Sequence, residues 1–137
     1  LKAEQLCRKL GVTKDVKFLG KLKVIEKMLS IADVFLLPSE TESFGLVALE
    51  AMASKVAIIS TNSGGLPEVN IEGKTGFMSD VGDVKKMAKD TLYLLTDPKK
   101  LDEFKDNALA HAKTFDLPNI LPQYEAVYQE LSCNMKQ

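Results

Sequence analysis

Val34-Phe35-Leu36-Leu37-Pro38, running on into Ser39-Glu40-Thr41-Glu42-Ser43-Phe44-Gly45-Leu46-Val47-Ala48-Leu49-Glu50-Ala51-Met52-Ala53, decides how this chain folds. The first part is a continuous apolar run, the pattern of a strand buried on both faces. A polar loop follows, and then a run from Gly45 whose only charged residue is Glu50. A strand therefore delivers the chain to a helix N-terminus, where unpaired backbone N–H groups and the helix dipole favour an anion. Glu42 and Glu50 flank that point with seven residues between them. Carboxylates repel phosphate but accept hydrogen bonds from hydroxyls. A ligand carrying both phosphate and hydroxyls suits the arrangement, and a nucleotide sugar is one.

Outward from this stretch the pattern repeats. Leu1, Leu6 and Leu10 mark an opening helix closed by Gly11 as C-cap. Val16-Lys17-Phe18-Leu19 reads as a short strand, 23–32 as a helix, and Val56-Ala57-Ile58-Ile59-Ser60 as another strand buried on both faces. Gly64-Gly65-Leu66-Pro67-Glu68 is a turn into a short helix with Pro67 at its start. A last strand begins at Phe77-Met78. Asp83 caps a helix to about 96, Asp97-Pro98 starts another to about 114, and 118–131 forms a terminal helix followed by a tail. Alternating strands and helices predict an α/β fold: a Rossmann-like, doubly wound parallel sheet with helices on both faces. In such sheets ligands sit beyond the carboxyl ends of the strands, so the loops at 20–22, 39–45 and 61–67 are expected on one rim.

Composition narrows the class. The 137 residues suit one domain, and 45% hydrophobic with 27% charged residues is ordinary for a globular protein. A net charge of −1 gives no electrostatic reason to expect nucleic acid or an anionic membrane as partner. No apolar run approaches the roughly 18 residues of a membrane span, and no signal-peptide pattern opens the chain. Cys7 and Cys133 are read as a reduced pair in a cytoplasmic protein. The chain opens at Leu1 inside a helical pattern, so it is expected to be a piece of a longer protein that lacks the first strands of its sheet.

Other chemistries lose their main support. There is no Gly-x-Gly-x-x-Gly, no P-loop pattern, no Cys/His cluster, and no Asp-x-Asp pair to hold a cation on a diphosphate. The one histidine, His111, lies in a helical context far along the chain and is read as non-catalytic. Each site residue also has a plainer reading. Glu50 fits a solvated helix face, Glu42 a charge placed to complement a helix dipole, Gly45 a permissive turn, and Gly64-Gly65 a tight turn or a phosphate contact.

Taken together, Leu37-Pro38-Ser39, Glu42-Ser43-Phe44-Gly45-Leu46-Val47-Ala48-Leu49-Glu50, Gly64-Gly65-Leu66-Pro67-Glu68 and Gly73-x-x-Gly76 resemble the retaining glycosyltransferases of family 4, whose fold is the two-domain GT-B. The resemblance implies that residues 1–137 belong to the carboxy-terminal, nucleotide-sugar-binding domain. It implies that Glu42 is the catalytic carboxylate, accepting hydrogen bonds from the donor sugar. Ser43, Phe44, Gly45, Leu46 and Val47 would meet donor sugar and phosphate, with the amides of Phe44 and Gly45 on sugar hydroxyls and those of Leu46 and Val47 on phosphate. Glu50 would hold the ribose, and Gly20-Lys21-Leu22 would border the base. No metal and no cofactor beyond the nucleoside diphosphate sugar, a UDP-sugar, is implied. Within the family the texture is similar to members that move N-acetylglucosamine from UDP to L-malate. The rivals are a sugar-nucleotide epimerase of the same fold and a non-catalytic sugar-nucleotide-binding module.

The family draws its acceptor site and a further histidine from an amino-terminal domain, and a basic pair for the diphosphate from an earlier loop. No residue of this chain matches them. The chain alone is therefore expected to be inactive and to bind nucleotide weakly. Charge-assisted contacts are worth roughly 1.5–3 kcal/mol each, so losing them weakens binding by about tenfold or more.

Overall fold

In a computed structural model, which describes residues 2–116 and positions 118, 122, 123, 125 and 126, the run Val34–Leu37 forms β1, Ala57–Thr61 forms β2 and Gly76–Ser79 forms β3. They make one sheet in the order β1-β2-β3, with both pairings parallel. Parallel neighbours require crossovers. Helix α3 (Leu46–Ala53) carries the chain from β1 to β2, and α4 (Leu66–Val69) lies between β2 and β3. Ahead of the sheet lie α1 (Lys2–Leu10) and α2 (Glu26–Leu29). Behind it lie α5 (Val84–Leu95), α6 (Pro98–Ala112) and a 3-10 turn at Lys113–Phe115.

The central strand shows why the apolar runs were informative. All of β2 is buried. On one face Ile58 packs with Leu29, Ala48, Met52, Leu66 and Ala108, from α2, α3, α4 and α6. On the other, Ala57 and Ile59 pack with Leu94 and Phe104, from α5 and α6. Helices thus cover both faces, as expected. Each fully buried aliphatic side chain contributes about 1.5–3 kcal/mol, so this strand anchors the fold and the loops at its carboxyl end.

The caps follow the sequence closely. Gly11 donates to Arg8 O at 3.2 Å and Val12 to Cys7 O at 3.1 Å, closing α1. Asp83 accepts from the Lys86 amide at 3.0 Å and Asp97 from the Lys100 amide at 3.1 Å, starting α5 and α6.

Several expectations need correction. Val16–Leu19 forms no strand: Val16, Phe18 and Leu19 are exposed, and no described strand lies alongside to pair with it. β1 is an edge strand among the described residues and not buried on both faces; Leu36 is 49% exposed. The helix expected over 23–32 shrinks to Glu26–Leu29. Only Leu29 in it is buried, and so short a segment persists through packing rather than propensity. Of the terminal helix over 118–131, positions 118, 122, 123, 125 and 126 are helical and the others lie outside the described residues, as does Cys133.

A polar core that periodicity does not reveal joins β2 to β3. Asn70, fully buried, donates through Nδ2 to Ser60 Oγ at 3.0 Å and to the Phe77 carbonyl at 3.1 Å. Its Oδ1 accepts from Thr75 Oγ1 at 2.9 Å, and Thr75 Oγ1 accepts from the Ile71 amide at 2.7 Å. Asn70→Leu would leave buried groups unpaired at about 1–3 kcal/mol each. A loss of about 2–4 kcal/mol in urea unfolding is expected; an unchanged midpoint would show that the network is dispensable.

Candidate functional site

At the end of β1 the chain turns through 38–45 into α3. Gly45, the N-cap, sits at φ 91° and ψ 39°, a left-handed conformation that a side chain disfavours. A Cβ there would also lie 2.9 Å from Leu66 Cδ2. The Gly45 carbonyl accepts from the amides of Ala48 at 3.0 Å and Leu49 at 3.2 Å, and no side chain caps the helix. The N–H groups of Phe44, Gly45, Leu46 and Val47 consequently meet no acceptor among the described residues. In this first turn Leu46 is 67% exposed and Ala48 is fully buried. The N-terminus of α3 thus falls where the sequence placed it.

In sequence the two carboxylates lie on either side of that turn. Glu42 is half-buried in the loop, and Glu50 is exposed on α3. Glu50 is three and four residues beyond Val47 and Leu46, the spacing that sets a side chain over the same helix face. Neither carboxylate has a hydrogen-bond or ion-pair partner among the described residues. Ser43 and Phe44 are exposed, Gly45 is buried and Val47 half-buried.

Two of the expected rim loops do come together. Thr61, Ser63 and Gly65 all hydrogen-bond to carbonyls of the 39–42 loop, the last through its amide to Glu42 O at 3.3 Å. Gly64, at φ +55°, leaves so little room that a Cβ would stand 1.5 Å from the Glu42 carbonyl oxygen, and one on Gly65 would stand 2.7 Å from that of Ser43. The Gly-Gly pair is thus the surface against which the Glu42 loop is moulded. The third loop fares differently. Gly20, Lys21 and Leu22 are exposed, and since Val16–Leu19 is not a strand they do not leave a strand end.

One contact lay beyond the sequence reading. His111, though distant in sequence, is one ring removed from the site. Its imidazole stands 5.2 Å from Phe115 at 88°, and Phe115 stands 6.1 Å from Phe44 at 72°. Its Nε2 is buried without a partner among the described residues. The ring packs at the end of α6. Among the described residues no group of three or more His, Cys, Asp or Glu is placed to hold a metal, and no helix is long and apolar enough to cross a membrane.

Residues 1–111 match the family model described as glycosyl transferases group 1. The chain belongs to that family of glycosyltransferases. It is 39% identical over 128 residues to N-acetyl-alpha-D-glucosaminyl L-malate synthase of Bacillus anthracis, covering 93% of this chain and 34% of that protein. It is 37% identical over 131 residues to D-inositol 3-phosphate glycosyltransferase of Corynebacterium urealyticum, covering 93% and 31%. Among solved structures, Anabaena Alr3699/HepE in complex with UDP superposes with a TM-score of 0.86 at 27% identity, over 94% of this chain and 36% of that one. The chain spans about a third of the length of these relatives.

Proposed function

We propose that this chain forms the donor side of a retaining, metal-independent glycosyltransferase that uses UDP-N-acetylglucosamine and transfers its sugar to L-malate. The observation carrying the reading is the set of amides at Phe44–Val47 that meet no acceptor among the described residues, with Glu42 before them and Glu50 after them likewise without a partner among the described residues. The Leu46 and Val47 amides receive the diphosphate, whose charge grows as the glycosidic bond breaks; preorganised donors of this kind stabilise a developing anion. The Phe44 and Gly45 amides and the Glu42 carboxylate hold sugar hydroxyls, Glu42 being the catalytic residue. Glu50 accepts from the ribose hydroxyls, and Gly20-Lys21-Leu22 border the base. The donor class is supported by the UDP complex of the superposing structure, and sugar and acceptor by the name of the malate synthase relative. The acceptor site belongs to a further domain, and the 137 residues alone do not turn over.

The direct test is to supply the protein carrying this chain with UDP-N-acetylglucosamine and L-malate in the presence of a chelator. UDP and a glycosyl malate with the donor's anomeric configuration are expected. A requirement for manganese, an inverted product, or free epimerised sugar would refute the reading. The division of roles has its own check. Glu50→Ala removes the ribose acceptor, a charge-assisted bond worth roughly 1.5–3 kcal/mol, so UDP should bind about tenfold to hundredfold more weakly while turnover at saturating donor changes little. A fall in turnover with unchanged UDP affinity would contradict the assignment.

A further inference from the structure

Thr61 and Ser63 have no place in the donor contacts above, yet both hold the loop that makes them. Thr61 is 1% exposed at the carboxyl end of β2 and donates Oγ1–H to the Ser39 carbonyl at 2.6 Å. Ser63 donates Oγ–H to the Glu40 carbonyl at 2.9 Å. The Gly65 amide continues the series to the Glu42 carbonyl. Donors at alternate positions of one segment, 61, 63 and 65, thus engage the carbonyls of residues 39, 40 and 42 in the other.

The consequence follows from peptide geometry. In a planar trans peptide the C=O and the next N–H point in opposite directions, and no cis bond occurs among the described residues. Fixing the carbonyls of Ser39, Glu40 and Glu42 turns the amides of Glu40, Thr41 and Ser43 away from the 61–65 segment. None of the N–H groups from Glu40 to Val47 meets an acceptor among the described residues. The loop carries its acceptors inward and its donors outward before any ligand arrives. A site ordered in advance spares the ligand the entropy of ordering it. Because Thr61 is part of the buried central strand, the loop inherits the rigidity of the sheet.

We propose that Thr61 and Ser63 are positioning residues for the donor diphosphate, their hydroxyls fixing the 39–42 loop from which the chain enters the Phe44–Val47 amide turn. The proposal rests on the donor-site reading above. Its test compares two ligands on the protein carrying this chain: UDP, which engages the amides, and uridine, which lacks phosphate. Thr61→Val removes the hydroxyl at nearly constant volume, Thr61→Ser keeps it, and Ser63→Ala removes the second bond at a half-buried position. By calorimetry for UDP and ligand-observed NMR for uridine, Thr61→Val and Ser63→Ala are each expected to weaken UDP by about three- to tenfold. Uridine should be unaffected, and Thr61→Ser should restore UDP binding. Unchanged UDP affinity in both variants would overturn the proposal, as would a parallel loss for UDP and uridine. Should Thr61→Val not fold, Ser63→Ala decides by the same criterion. Absence of UDP binding in the unaltered protein would instead strike the donor-site reading and this proposal with it.

Discussion

Gly64→Ala is expected to abolish productive donor binding, weakening UDP by at least about tenfold, although residue 64 touches no ligand in this account. The added methyl would sit 1.5 Å from the Glu42 carbonyl oxygen, a backbone atom that cannot rotate away. The left-handed conformation at φ +55° adds roughly 1–2 kcal/mol of strain for a residue with a Cβ. Relief requires the Glu42 loop and the 61–65 segment to part, which breaks the Gly65 to Glu42 hydrogen bond and swings the outward amides off their common direction. Small misplacements of oriented groups carry large functional costs. Titration calorimetry with UDP, beside a urea melt to measure the stability cost separately, checks this. UDP affinity within about threefold of the unaltered protein would mean the loop is not moulded on Gly64 in the way described.

Glu42→Gln should act on turnover. The side chain keeps its size and an acceptor oxygen but loses its charge, and charge-assisted hydrogen bonds are about twice as strong as neutral ones. Losing roughly 1.5–3 kcal/mol of a contact made to the sugar as the diphosphate departs corresponds to about ten- to a hundredfold in kcat. UDP lacks the sugar that is transferred, so its affinity should be unaltered. Steady-state kinetics with the intact donor, paired with UDP titration, separates the two quantities. Loss of UDP affinity equal to that of Glu50→Ala would remove the distinction drawn between the carboxylates.

Much of this arrangement was legible because single residues announced it. The unbroken apolar run of β2 could only be a strand covered on both faces, and it is. Asp83, Asp97 and Gly11 marked helix ends where the chain does turn. Gly45 before a run of good helix formers placed the N-terminus of α3, and with it the amide cluster.

What escaped reading depended on partners distant in sequence. Val16–Leu19 has the residue types of a strand, but a strand exists only when paired, and its residues alone do not say whether a neighbour is at hand. Leu36 belongs to an apolar run that looks doubly buried until the sheet order places it on an edge. Gly64-Gly65 signalled a turn; that Glu42 would press against it, and that the hydroxyls of Thr61 and Ser63 would reach the same loop, needed the third dimension. Alternating hydroxyls just before a Gly-Gly turn were the available clue. Asn70 gave even less, since a buried asparagine differs from a surface one only in its surroundings.

The central claim is that backbone amides at the mouth of β1 and α3 hold the diphosphate of the donor. It is tested most directly by determining the structure of the protein carrying this chain with UDP bound. Phosphate oxygens are expected within about 3.2 Å of the Leu46 and Val47 nitrogens, with the ribose hydroxyls on Glu50. A nucleotide lodged elsewhere, or one bound here with Glu42 and Glu50 both turned to solvent, would contradict the account.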